Sequence, residues 1–163
     1  MLFEYVSNEE LETIIQIVRR FYKIKHPYST GKSLQVWQEL YNELAQALHM
    51  PAPKLFIDST PSIIGAYGYT RPRPNGSSEI HLNKYSLITA LHEFYHAVIN
   101  ARRGLQSEHE TYAFSYFVFR LAVGEPHGTV APDPFRARNR RIYAALEQRL
   151  EVARHEKAFR IQH

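Results

Sequence analysis

At 163 residues and 44% hydrophobic, the chain is long enough for one domain with a real core and too short for two comfortable ones. It has no cysteine, which excludes disulfides, thiolate zinc sites and a cysteine nucleophile, so a transition-metal site must be built from His and carboxylates. A net charge of +4 permits an acidic partner without demanding one.

The N-terminal third reads as two helices. Ser7 with Glu10 resembles a capping box, after which Leu11, Ile14, Ile15, Val18 and Phe21 or Tyr22 recur at helical spacing until His26-Pro27. Ser33 begins a second helix with an apolar stripe of Val36, Trp37, Leu40, Tyr41, Leu44 and Leu48, broken by Pro51 and Pro53. Between them, Gly31-Lys32-Ser33 lacks the earlier glycine of a phosphate loop, and a helix rather than a strand precedes it, so a nucleotide site is rejected. Three short strands follow, Lys54 to Asp58, Ile63 to Thr70 and Glu79 to Leu82, the last two joined by a loop over 71–78 in which Asn75-Gly76-Ser77 is read as a turn. Tyr85 to Arg103 is then predicted as a helix ended by Gly104 in a left-handed cap, and a strongly apolar helix starts near Glu110.

The helix over 85–103 carries His92-Glu93-Phe94-Tyr95-His96, the most informative stretch of the chain. Two histidines four apart share one helical face, where both imidazoles reach one metal and the intervening glutamate can hold its water. With 9 His in 163 residues, chance supplies this pattern only about 0.04 times in a chain of this composition, so coincidence is a poor explanation. Zinc needs at least one more protein ligand, and the nearest candidates are Glu108, His109 and Glu110. A helical hairpin turning at Gly104 would return Glu110 level with His96 at a rise of ~1.5 Å per residue, which favours Glu110 as the ligand. Ser107 and Glu110 also spell a capping box that needs no metal, and that alternative stays open.

A short sheet, Glu79-Ile80-His81-Leu82-Asn83, then Leu91-His92-Glu93-Phe94-Tyr95-His96-Ala97, then Glu110-x-x-Ala113-x-x-Tyr116 resembles the gluzincin clan of zinc metallopeptidases, in particular the minigluzincins and the ImmA/IrrE-like peptidases. The resemblance covers roughly residues 54–121 and implies zinc as cofactor, His92, His96 and Glu110 as ligands, and Glu93 as general base. The gap from His96 to Glu110 is short for this clan, and Phe114 stands where many members carry a polar residue. The chain is also similar to SprT-like metalloproteases, which act on DNA-bound proteins; there His109 would be the third ligand, although the glycines that flank that histidine in the family are replaced by Glu108 and Glu110.

These readings predict an α+β single domain over 1–163 with a zincin-like fold: N-terminal helices over 1–50, a catalytic core over 54–121 with a small, mostly antiparallel sheet, and a C-terminal basic helix over 135–160. The expected activity is a zinc metalloendopeptidase acting on protein or peptide. Zinc would activate water, Glu93 would pass its proton to the leaving amine, and Tyr67, Tyr69, His81, Tyr112 or His127 are candidates to stabilise the oxyanion. The edge near Gly65 to Thr70 would accept the peptide as an added strand, as in the enzymes it resembles. Arg136, Arg138, Arg140 and Arg141 most simply form a solvated helix face, with a nucleic-acid contact as the sharper alternative, and a latent form with Arg160-Ile-Gln-His163 across the cleft as a third. A non-catalytic binding module retaining the helix is the rival class. No run approaches 18 apolar residues, and the start of the chain lacks a basic region followed by an apolar one, so a cytoplasmic protein with no membrane partner is expected.

Overall fold

The computed structural model describes residues 2–25 and 33–124, together with Ala144, Gln148, Glu151 and Val152, which are helical. The basic C-terminal segment, His127 and the terminal Arg160 to His163 otherwise lie outside the described residues, as do His26-Pro27 and the stretch up to Lys32. The elements run α1 (Asn8–Lys25), α2 (Leu34–Ala47), β1 (Lys54–Ile57), the one-turn α3 (Thr60–Ile63), β2 (Gly68–Pro72), β3 (Ser78–Leu82), α4 (Leu87–Ala101) and α5 (Glu108–Ala122). The result is an α+β domain, as expected. No helix among the described residues is long and apolar enough to cross a membrane.

The start of α1 is the capping box its sequence spells. Glu10 N donates to Ser7 Oγ at 3.1 Å and Ser7 N donates to Glu10 Oε1 at 2.9 Å, so two orphan amides of the first turn are satisfied reciprocally. The apolar stripes of α1 and α2 are core, with Leu11, Ile14, Val18, Trp37, Tyr41 and Leu44 all buried. Tyr41 also donates from its hydroxyl to the Ala90 carbonyl at 2.8 Å, which fixes α2 against α4.

The sheet differs from the expected one in two respects. Its order is β1-β3-β2, with β1 parallel and β2 antiparallel to β3, so it is mixed rather than mostly antiparallel. Residues 63–67 are not strand. Pro61 sits in the first turn of α3, where its missing amide costs nothing, and Ile63 and Ile64 are left 80% and 59% exposed before the chain turns at Gly65, φ 73. The apolar pair that suggested a strand therefore belongs to a helix-turn connection, and β2 starts only at Gly68.

Helix α4 is the centre of the molecule, packed on β2 and β3 on one side and on α5 on the other. Ten of its residues are buried, including Leu87, Leu91, Phe94, Tyr95 and Val98. Its C-terminal end also departs from expectation, because the left-handed residue is Arg103 (φ 54) and not Gly104. Gly104 is required for another reason: a Cβ there would lie 2.2 Å from the Tyr5 ring, so only glycine lets the N-terminal arm cross this turn.

Candidate metal centre

His92, Glu93 and His96 enter the site from successive turns of a helix whose other faces are core, so their backbone positions are set by packing. The imidazoles of His92 and His96 have ring centroids 5.0 Å apart. The third group is Glu108, the first residue of α5: its Oε1 lies 2.7 Å from His96 Nε2 and its Oε2 lies 3.3 Å from His92 Nε2. One ligand atom from each of His92, His96 and Glu108 falls within 4.8 Å of the others, and among the described residues this is the group with metal-ligand geometry. Bonds of about 2.1 Å to a tetrahedral zinc put ligand atoms roughly 3.4 Å apart, close to the His92–Glu108 separation and wider than the 2.7 Å hydrogen-bond distance between His96 and Glu108.

The third ligand expected at Glu110 is not in this group. Glu110 Oε1 accepts from the Glu4 amide at 3.1 Å and from the Tyr95 hydroxyl at 3.4 Å, on the far side of α5. Its own amide donates to Ser107 Oγ at 3.2 Å, so Ser107 caps α5, which is one half of the capping box that S-x-x-E spells. Two facts defeat the hairpin estimate. Residues 102–107 are not helical, so they advance the chain further per residue than 1.5 Å, and the first residue of α5 already returns beside the histidines. Two residues further on, a side chain points about 200° away round the helix. His109 is exposed and likewise outside the group.

The helix phase of α5 carried the signal that would have found Glu108. Counting back four and seven residues from Phe114 and Phe117 on the core stripe reaches Glu110, whereas Glu108, Tyr112, Ser115 and Tyr116 share the other face, and all four of these line the cleft. Tyr112 packs its ring against His92, with centroids 4.4 Å apart.

Gln106 gave no signal in the sequence. Its Oε1 lies 2.7 Å from His96 Nδ1, and its Nε2 donates to the His96 carbonyl at 2.9 Å. By contrast, His92 Nδ1 is buried and has no hydrogen-bond partner among the described residues. Glu93 is 6% exposed, and Thr70 Oγ1 donates to its Oε1 at 2.9 Å and to its backbone carbonyl at 3.0 Å, leaving Oε2 on the His92 side, 3.9 Å from Nε2. Gly68 makes room for this side chain, since a Cβ there would lie 2.8 Å from Glu93 Cγ.

The charged groups of the site hold one another through hydrogen bonds. Glu108 is held well below the usual carboxylate range by hydrogen bonds first from His92 and then from His96. Burial alone would lower His96, but the Glu108 carboxylate and Gln106 outweigh it and raise its pKa. Burial raises Glu93, against the opposing pull of the two histidines and Thr70. These residues face a cleft of about 580 Å³, bounded by residues 65–70 on one side and by Tyr112, Ser115 and Tyr116 on the other.

Of the expected oxyanion donors, Tyr67, Tyr69 and Tyr112 line the cleft. His81 does not: it hydrogen-bonds Asp58 at 2.7 Å and stacks on Phe56 with centroids 4.7 Å apart. Comparison with known proteins finds no counterpart, as no family model, no curated protein and no solved structure matches the chain.

Proposed function

We propose that this protein is a zinc-dependent peptidase, with His92, His96 and Glu108 as ligands and Glu93 as general base. The observation that carries this reading is the convergence of three ligand atoms within 4.8 Å of one another at the wall of an open cleft, with a buried carboxylate beside them. The donor set of two imidazoles and one carboxylate, with a side left open, is that of a catalytic zinc site, where structural sites are closed by a fourth protein ligand. When bound, zinc would supply Lewis acidity towards water and towards a scissile carbonyl.

The protein's own groups have distinct tasks. Glu93 accepts a proton at Oε2, because Oε1 is engaged by Thr70, and passes it to the departing amine. Burial of Glu93 and the Gly68 backbone beside it keep that carboxylate in one place. Tyr112 sits against His92 on the cleft side, within the region where a donor to the developing oxyanion would act. Among the described residues, strand β2 pairs with β3 on one side only and borders the cleft, so its second edge offers backbone groups to an extended peptide. Among known families, the HExxH helix followed by a glutamate-bearing helix is similar to gluzincins, with the glutamate drawn from the first position of α5.

Metal analysis of untagged protein should give about one zinc per chain. Glu93→Gln should keep that zinc and lower cleavage of a peptide library by roughly 10²–10⁴-fold. A wild type that takes up no zinc on reloading, or a Glu93→Gln protein that cleaves like wild type, would sink the reading.

A further inference from the structure

We infer that Gln106 is a positioning residue for this centre, fixing which nitrogen of His96 carries the proton and so presenting Nε2 to the ion. The inference rests on the zinc reading and deepens it. The side-chain amide of Gln106 has a donor end and an acceptor end, and its orientation decides what His96 must do. Nε2 of Gln106 donates to the His96 carbonyl at 2.9 Å. Reversing the amide would set two carbonyl oxygens against each other, so this orientation is imposed by the backbone of the same histidine it serves. The remaining end, Oε1, lies 2.7 Å from His96 Nδ1 and can only accept. Nδ1 therefore holds a proton. Without an ion, Nε2 carries a proton of its own for Glu108 Oε1, 2.7 Å away; because Gln106 retains the one on Nδ1, Nε2 is the nitrogen that gives up its proton to an ion where the ligand atoms meet.

Among the described residues no equivalent device serves the other imidazole. His92 Nδ1 is buried with no described hydrogen-bond partner, and the ring is placed by Tyr112 and Glu108. The loop that carries Gln106 is itself fastened on both sides. Leu105 N donates to the Tyr5 hydroxyl at 3.0 Å, Gly104 lies under the Tyr5 ring, and Ser107 caps α5. An exposed residue between two fixed neighbours thus reaches the ligand already oriented, which is the condition for a supporting group to add affinity without an ordering cost.

The test uses the full chain, zinc as the probe, and the variants Gln106→Leu and Gln106→Glu. Competition against a chromophoric chelator should show Gln106→Leu weakening zinc binding by about 10–100-fold, and Gln106→Glu restoring it in part, since a carboxylate accepts from Nδ1 but sets its second oxygen against the His96 carbonyl. In zinc-free protein labelled with ¹⁵N-histidine, the His96 ring should show a hydrogen-bonded Nδ1 proton in wild type, lose it in Gln106→Leu and regain it in Gln106→Glu. A purely structural role would move thermal stability without changing this signature. The inference is overturned if Gln106→Leu binds zinc within about twofold of wild type. It is also overturned if the zinc-free wild type lacks the Nδ1 proton. Should wild type bind no zinc at all, the ligand reading fails, and the zinc-free spectra still decide whether Gln106 sets the tautomer.

Discussion

At the C-terminal cap of α4 the Arg102 guanidinium donates to the Tyr5 carbonyl (2.6 Å), to both oxygens of Glu10 (2.9 and 2.7 Å) and to the Leu48 carbonyl (2.9 Å). Earlier on the same helix, His92 and His96 direct their Nε2 atoms at a single carboxylate, and His92 Nδ1 has no hydrogen-bond partner among the described residues. Both clusters pair charged groups that are partly buried. The first joins the N-terminal arm, α1, α2 and α4 and uses its donors on protein acceptors; the second converges ligand atoms on a point beside a cleft. The difference separates a polar cluster whose groups are used up within the fold from one whose ligand atoms converge, as the proposed zinc site requires.

The largest expected effect lies in the second cluster. Glu108→Ala should weaken zinc binding by more than about 100-fold, because losing a supporting group alone costs roughly 10–100-fold and here a ligand is lost. Its melting temperature should stay close to wild type, since the Glu108 side chain is 64% exposed. Zinc binding unchanged in Glu108→Ala, measured by chelator competition, would break the comparison at its functional side.

Arg102→Met should do the reverse. Four hydrogen bonds disappear, two of them to backbone carbonyls, and the Glu10 carboxylate loses its counter-charge. Truncating one member of a buried pair costs about 3–5 kcal/mol and of an exposed pair about 0–1, so this pair, with side chains 29% and 23% exposed, should cost about 2–3 kcal/mol in urea unfolding. Zinc affinity should hold.

Glu110→Ala sharpens the same contrast with a smaller effect. Its carboxylate accepts from the Glu4 amide and the Tyr95 hydroxyl, so the change should cost about 1–2 kcal/mol of stability and leave zinc affinity unaltered. A large loss of zinc in Glu110→Ala, with none in Glu108→Ala, would restore the assignment expected from the sequence.

The contrast also shows what the chain reveals without its fold. Apolar periodicity marked α1, α2, α4 and α5, and the capping box at Ser7 and Glu10 formed as written, because both signals are local. His92, Glu93 and His96 were legible for the same reason: their spacing is the geometry. The third group depends on where a non-helical turn delivers the next helix, which no spacing encodes, and on the phase of that helix, which its apolar stripe records by placing Glu110 on the core side and Glu108 on the cleft side. Gln106 and Arg102 are less legible still. Each matters through backbone carbonyls from distant or neighbouring turns, and a carbonyl has no letter in a sequence. Ile63 and Ile64 misled for the complementary reason, since apolar residues that remain exposed carry the same letters as buried ones.

The smallest effect is a pH dependence confined to the structural cluster. Its hydrogen bonds with Arg102 lower the Glu10 pKa from 4.5 to about 2, against a burial effect that would raise it. A carboxylate depressed in the folded state binds fewer protons there than in the unfolded chain between those two values, so unfolding free energy rises with pH across that window. The stability contributed by the pair is therefore complete above the unfolded value near 4.5 and is lost as pH falls through about 2. Glu108 is also depressed below the usual carboxylate range, but it is so in wild type and in Arg102→Met alike, and sites without shared partners add nearly independently. The stability gap between the two proteins should thus be constant from pH 7 to about 5 and narrow steadily towards pH 2. A gap that stays fixed throughout would mean that Arg102 stabilises the fold through the Tyr5 and Leu48 carbonyls alone, with Glu10 contributing its capping bond to Ser7 and nothing through charge.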